Sequence, residues 1–361
     1  VFEREGDKRV PLSPRCLATA IGSFPHKDPK AACQLILRSI PDIPTWPQLP
    51  AIDYREGMEI QYSEGLPCVV LDDEKQRMYF DTRGDTSAAL AEFYEKYLAE
   101  DIDHFKISPD HSLGVYEMER ELRESGRAAP RYFKQHVTGP ITMGLGRVDQ
   151  DKRAIYYNDM FRDVIVKGVE MKARWLLRRF EFLGCPQICF VDEPILSAFG
   201  SSTYVSVERA DVVRFLSEVF TAIHKGSALA GSHCCGNTEW TILIDAGVDI
   251  ISFDAYEFGK TISYYPEQVK QFLERGGALA WGIVPSSERV AGESADSLVE
   301  KLDECVQNLA DKGISRDLIW ERSLITPSCG TGSLSIELSE KVIQHLPEIS
   351  ALLRQRLVVD G

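Results

Sequence analysis

Residues 187–194 read QICFVDEP, residues 207–224 read VERADVVRFLSEVFTAIH, and residues 228–236 read ALAGSHCCG. The outer two runs are short and apolar and end in polar residues, as buried strands do. The middle run places acidic residues in its early turns, carries apolar residues at helical spacing and stops just before Gly226. Strand, helix and strand in that order make a unit whose two strands lie parallel, because the crossover helix returns the chain to the same edge.

Outward from this unit the rhythm repeats. Further strands are expected at 17–24, 105–108, 132–138, 249–254, 278–284 and 323–327. Helices are expected at 160–182, 265–275 and 294–312, the last two ending at Gly276-Gly277 and Gly313. With 187–192 and 228–233 the strands number eight. The expected fold is therefore α/β, a (βα)8 TIM barrel forming one domain over residues 1–361. No GxGxxG follows the first strand, which argues against a dinucleotide-binding sheet. Residues 41–83 break the rhythm with PDIPTWPQLP at 41–50 and a polar run around Asp72, Asp73 and Glu74. They read as an insertion after the first βα unit, made of loops and a small hairpin over one barrel mouth.

Composition bounds the function. The 361 residues are 44% hydrophobic and 27% charged, which is globular. Forty-one basic against 55 acidic residues give a net charge of −14. Such a surface repels phosphate backbones and anionic lipid, so neither nucleic acid nor membrane is an expected partner. No apolar run approaches the roughly 18 residues of a membrane span. The opening VFEREGDKRVPLSPR lacks the apolar stretch of an export signal. Nine irregularly spaced cysteines in a long chain do not form a secreted disulfide framework. A cytoplasmic location follows as the expectation.

In a barrel, chemistry collects where strands end. The strand ends here carry Ile21-Gly22-Ser23, Asp192-Glu193, His233-Cys234-Cys235, Asp254, Ser286-Ser287 and Ser328-Cys329. Zinc favours imidazole and thiolate in a tetrahedral set, and a catalytic zinc keeps one position open. His233 and Cys235 are two residues apart and can point to one side, whereas Cys234 faces away. Cys329 ends the last strand, and Asp254 would lie between them around the rim. The alternative is that His233 bonds backbone while the cysteines are buried packing.

The motifs at these strand ends resemble those of the cobalamin-independent methionine synthase superfamily, which also holds methylcorrinoid:thiol methyltransferases and uroporphyrinogen decarboxylase. AIGSFP at 20–25 is similar to the opening strand of the methionine synthase catalytic barrel, and FVDEP at 190–194 to its homocysteine-anchoring strand. HCCGNT at 233–238 resembles the HxCGN zinc element of the corrinoid-dependent enzymes. SFDAYE at 252–257 falls where a carboxylate ligand is expected, and TPSCG at 326–330 resembles the last zinc motif.

The resemblance implies a catalytic Zn2+ held by His233, Cys235 and Cys329, with Asp254 as a further ligand and Glu257 as the competing carboxylate. It implies that Ile21, Gly22 and Ser23 contact an amino-acid carboxylate and that Asp192 binds its ammonium group. The implied activity is a methyltransferase acting on a zinc-activated thiol, with L-homocysteine giving methionine. Full-length methionine synthases of this family have two barrels, and this chain has the length of one. The family's seventh strand ends in a histidine motif that protonates the folate leaving group. Here GIVPSSERV places Ser287 near that position. Both departures favour a methyl-corrinoid donor, free or on a corrinoid protein, over methyltetrahydrofolate. A methylcorrinoid:coenzyme M-type enzyme is the first alternative, and a uroporphyrinogen decarboxylase-like enzyme the second.

Overall fold

The computed structural model describes residues 12–124, 126–201, 204 and 206–359. The charged N-terminal stretch read above lies mostly outside them. Among the described residues nine strands are formed: β1 (Leu17–Ala18), β2 (Val69–Asp72), β3 (Arg77–Phe80), β4 (Phe133–Thr138), β5 (Gln187–Asp192), β6 (Leu229–Cys234), β7 (Ile250–Phe253), β8 (Ala278–Val284) and β9 (Ser323–Pro327). Seven of them make one sheet in the order β1, β9, β8, β7, β6, β5, β4. Every pairing in that sheet is parallel. The helices Asp159–Arg179, Arg209–Lys225, Pro266–Glu274 and Ala295–Ala310 fall within one to three residues of the four helical stretches read from periodicity.

The closed eight-stranded barrel expected from the sequence is corrected by this topology. The sheet is a seven-stranded half-barrel with β1 and β4 as its edges. Between those edges runs the extended stretch 42–48, joined by single bridges at Ser23–Gln48 and Thr45–Lys134. The Gln48 N–H donates to Gly22 O and the Lys134 N–H donates to Pro44 O. Pro44 and Pro47 lie within this stretch, Pro41 and Pro50 flank it, and none has an N–H to give, so no continuous ladder forms. The expected strand at 105–108 is likewise absent. Phe105 closes a 3-10 turn, Ile102–Phe105, that Asp101 caps by accepting the His104 N–H. Phe105 and Ile107 are buried as loop anchors instead.

Alternation along the strands separates two apolar layers. Leu17, Ile43, Tyr132, Ile188, Phe190, Leu229, Ile250 and Leu324 pack together inside the curve of the sheet. Cys189, Val191, Ala230, Cys234, Ile251 and Phe253, of opposite parity, face the helices. The inner parity continues to the C-terminal strand ends as His136 on β4, Asp192 on β5, His233 on β6 and Ser252 on β7, with Lys134 of the same parity nearer the start of β4. The polar groups therefore gather at one end of an otherwise apolar interior.

Residues 41–83 form the 3-10 turns Tyr54–Glu56 and Ile60–Tyr62 and the antiparallel hairpin β2–β3. Glu56 accepts the N–H groups of Leu49 and Leu113 at 3.0 Å each. The Tyr62 hydroxyl donates to His136 O at 2.9 Å, and Glu59 pairs with Arg147 at 3.2 Å. These contacts hold the segment over the end of β4. Among the described residues no helix is long and apolar enough to cross a membrane.

Candidate metal centre

His233 comes from the end of β6, Cys235 from the residue after it, and Cys329 from the turn after β9. One ligand atom from each lies within 4.8 Å of the others, a group that can hold a metal ion. The geometry follows from parity, since Leu229, Gly231 and His233 share a face and Cys235 continues it as the strand ends. Cys234 has the opposite parity and is fully buried in the helix-facing core.

The ring of His233 is oriented by Ser252, whose Oγ lies 3.0 Å from Nδ1. In the tautomer with the proton on Nδ1, that proton is donated to Ser252 and Nε2 keeps its lone pair. Nε2 is buried and has no hydrogen-bond partner among the described residues. A buried, unpartnered imidazole nitrogen beside two thiols is what a nitrogen–sulfur metal site requires. Burial, reinforced by the Lys134 ammonium, pushes the imidazole down to about 3, so it is neutral at physiological pH. The hydrogen bond between the sulfurs holds Cys235 down at about 7, and it raises Cys329. One of the two thiols therefore ionises readily.

Asp192 ends β5 and stands opposite His233 in the ladder. Its Oδ1 is buried without a partner among the described residues. Burial raises the carboxyl to about 7, against the pull of Lys134. Lys134 is itself fully buried, is lowered to about 8 by desolvation, and donates from Nζ to Ile21 O at 2.5 Å. Ile21 is thus tied to β4 through its carbonyl. Gly22 lies against His136, and a Cβ there would come within 2.7 Å of the imidazole Nε2. Ser23 O accepts from both the backbone N–H and the hydroxyl of Thr331, two residues past Cys329. Of the three, Ser23 touches the loop that carries Cys329, whereas Ile21 is held to Lys134 and Gly22 lies against His136.

The other expected residues do not join the group. Asp254 is raised to about 6 by burial, and its Oδ1 accepts the Glu257 N–H at 2.9 Å. It caps the short helix Ala255–Phe258 and lies outside the three-ligand set. Glu257 is exposed and paired with Arg289. Ser287 is exposed at the end of β8. Its neighbour Ser286 makes the contact instead: Ser286 Oγ donates to Cys329 O at 2.7 Å and lies 3.1 Å from Cys329 N.

Three contributors were given no role in the sequence reading. Ser252 contacts His233 and Ser286 contacts Cys329, and the only signal for either is its position at a strand end. Glu193, buried after Asp192, accepts from Ile141 N, Thr142 N and Thr142 Oγ1 at 2.6 to 2.9 Å. It ties the end of β5 to the turn after β4. A Cβ on Gly139 would lie 2.0 Å from its carboxyl carbon, which explains glycine there.

No family model matches the chain, and no curated protein matches it. Among solved structures, a protein assigned as a fructose-1,6-biphosphate aldolase from Coccidioides immitis is 10% identical over 70% of this chain and 79% of its own, with a TM-score of 0.32. A Xaa-Pro dipeptidase with methionine bound in its active site is 15% identical over 75% of this chain and 71% of its own, with a TM-score of 0.31. At these scores neither likeness carries an argument about the chemistry.

Proposed function

We propose that this chain is a zinc-dependent methyltransferase of the cobalamin-independent methionine synthase superfamily, carrying a methyl group from a methyl-corrinoid to the thiol of L-homocysteine. The observation that supports this most strongly is the convergence of His233, Cys235 and Cys329 beside the buried, unpartnered carboxylate oxygen of Asp192. His233 Nε2 and the two sulfurs would hold the ion. Bound there, zinc would favour the thiolate form of an acceptor thiol at neutral pH.

The protein's own residues supply the rest. Asp192 receives the acceptor's ammonium group, a partner that returns its desolvated carboxyl to the ionised form. Coenzyme M carries a sulfonate and no ammonium, so Asp192 offers it only repulsion. Ser252 aims the His233 ring, and Ser286 fixes the backbone of Cys329. The thiolate sulfur attacks the methyl carbon in line. The sulfur–carbon bond forms as the carbon–cobalt bond breaks, the bonding pair stays on cobalt, and the thiol proton leaves to solvent. No proton is needed by this leaving group, whereas a folate amine requires one. At the end of β8 serines stand where an acid would be needed.

The test is methyl transfer by the purified, zinc-loaded chain. Methionine is expected from methylcobalamin and L-homocysteine, with none from methyltetrahydrofolate. Cys329→Ser is expected to lower the rate by at least about a hundredfold, the scale of losing a transition-state contact of roughly 3 kcal/mol. Efficient use of folate without corrinoid, or full activity after metal removal, would contradict the proposal.

A further inference from the structure

We propose that a second ligand site, for an anionic small molecule with an apolar body, lies at the end of the sheet opposite the metal centre. A cavity of about 960 Å³ opens there between the helices Pro29–Ser39 and Ile336–Val359. It is bounded by Arg15 and Ala18 at the start of β1 and by Arg131 just before β4. In a parallel sheet all strands begin on one side, so this site and the strand-end cysteines are on opposite sides of the molecule.

The space has a cause in the sequence. Ala18 points to the helix layer, where the same layer takes Val191, Phe253 and Ile325 from other strands. Across the gap the final helix presents Ser350 and Ala351, also small. The Ser350 hydroxyl donates to Cys16 O at 2.7 Å, which pins that helix to β1 and fixes the wall. Ile40 and Leu357 give the cavity its apolar lining. The volume is that of a site for a metabolite-sized ligand.

The mouth is cationic in a chain whose net charge is −14. Arg15, Arg131 and Arg354 line it against one acid, Asp42. Asp42 is taken by Arg354 at 3.7 Å. The side chains of Arg15 and Arg131 are exposed and have no partner among the described residues. Two uncommitted guanidinium groups over an apolar pocket match a carboxylate or phosphate head on an apolar body, because the planar fork binds either oxyanion through paired N–H donors.

Calorimetric titration of the full chain at low ionic strength tests this with decanoate, octyl phosphate and inorganic phosphate, each amphiphile kept below its micelle concentration. Saturable one-to-one binding of decanoate or octyl phosphate supports the site, and the tighter of the two identifies the head group. The double variant Arg15→Glu with Arg131→Glu is expected to weaken it by at least about tenfold, since two charge-assisted contacts are replaced by repulsion. Ala351→Trp, which fills the cavity from an exposed helix position, is expected to do the same with the arginines intact. Neither change touches the metal ligands, so zinc content should be unchanged. No saturable binding of either amphiphile, binding unaltered in both variants, or inorganic phosphate bound as tightly as octyl phosphate would overturn the assignment.

Discussion

Ser252 illustrates how one hydroxyl can orient an imidazole that the site offers to a metal. It lies 3.0 Å from His233 Nδ1 and leaves Nε2 turned toward the cysteines. Groups that orient a ligating histidine typically contribute 10–100-fold in metal affinity. Ser252→Ala is therefore expected to weaken zinc binding by about 10–100-fold, read by competition with a chromophoric chelator. An unchanged affinity would mean that packing alone holds the ring. In the proposed function Asp192 binds the acceptor and takes no part in holding the metal. Asp192→Asn should keep a full complement of zinc yet lose at least about tenfold in homocysteine affinity, as expected when a charge-assisted contact becomes a neutral one. Equal affinity for both proteins would remove the ammonium from the account.

At the scale of the element, β5 and β6 show why the interior must be both filled and polar-ended. On β6 a Cβ added at Gly231 would meet the Phe190 ring at 2.1 Å. Gly231→Ala is expected to destabilise the fold by about 1–3 kcal/mol through overpacking, with a lower denaturant midpoint and an unaltered slope. A neutral outcome would show that Phe190 can move. Much of this element-level structure was legible in the sequence. The runs at 187–192, 278–284 and 323–327 read as strands over the same bounds that the structure gives. Their apolar runs bounded by polar residues carried that information, and the spacing of His233 and Cys235 carried the site. What could not be read was pairing. The stretch 17–24 looks like one strand, yet only Leu17 and Ala18 join the ladder, and the neighbour along its upper half is a proline-punctuated segment. Nor could periodicity reveal that Asp254 would cap a helix, because a capping aspartate and a ligating aspartate occupy the same strand-end position.

For the whole molecule, the two apolar layers form a core that includes none of His233, Cys235 and Cys329, so the fold is expected to persist without the ion. Stripping zinc with a chelator should abolish methyl transfer while leaving the far-ultraviolet circular dichroism of the folded chain in place; global unfolding on chelation would mean that the ion is structural. The segment 41–83 introduces a pH dependence of its own through Glu56. Burial raises its carboxyl to about 7 from an ordinary 4.5, although two backbone N–H groups oppose the shift. Because the folded value exceeds the unfolded one, the stability it contributes is fully present below about 4.5 and is lost as pH rises through about 7. Relative to Glu56→Gln, the parent protein should lose up to roughly 3 kcal/mol between pH 4 and pH 8, measured by urea unfolding. Parallel profiles for the two proteins would contradict that assignment. The central claim remains the thiol at the metal, and zinc X-ray absorption on adding L-homocysteine or coenzyme M tests it most directly. The account predicts one zinc per chain that gains a sulfur neighbour with L-homocysteine and not with coenzyme M. No bound zinc, or a coordination shell that homocysteine leaves unaltered, would contradict it.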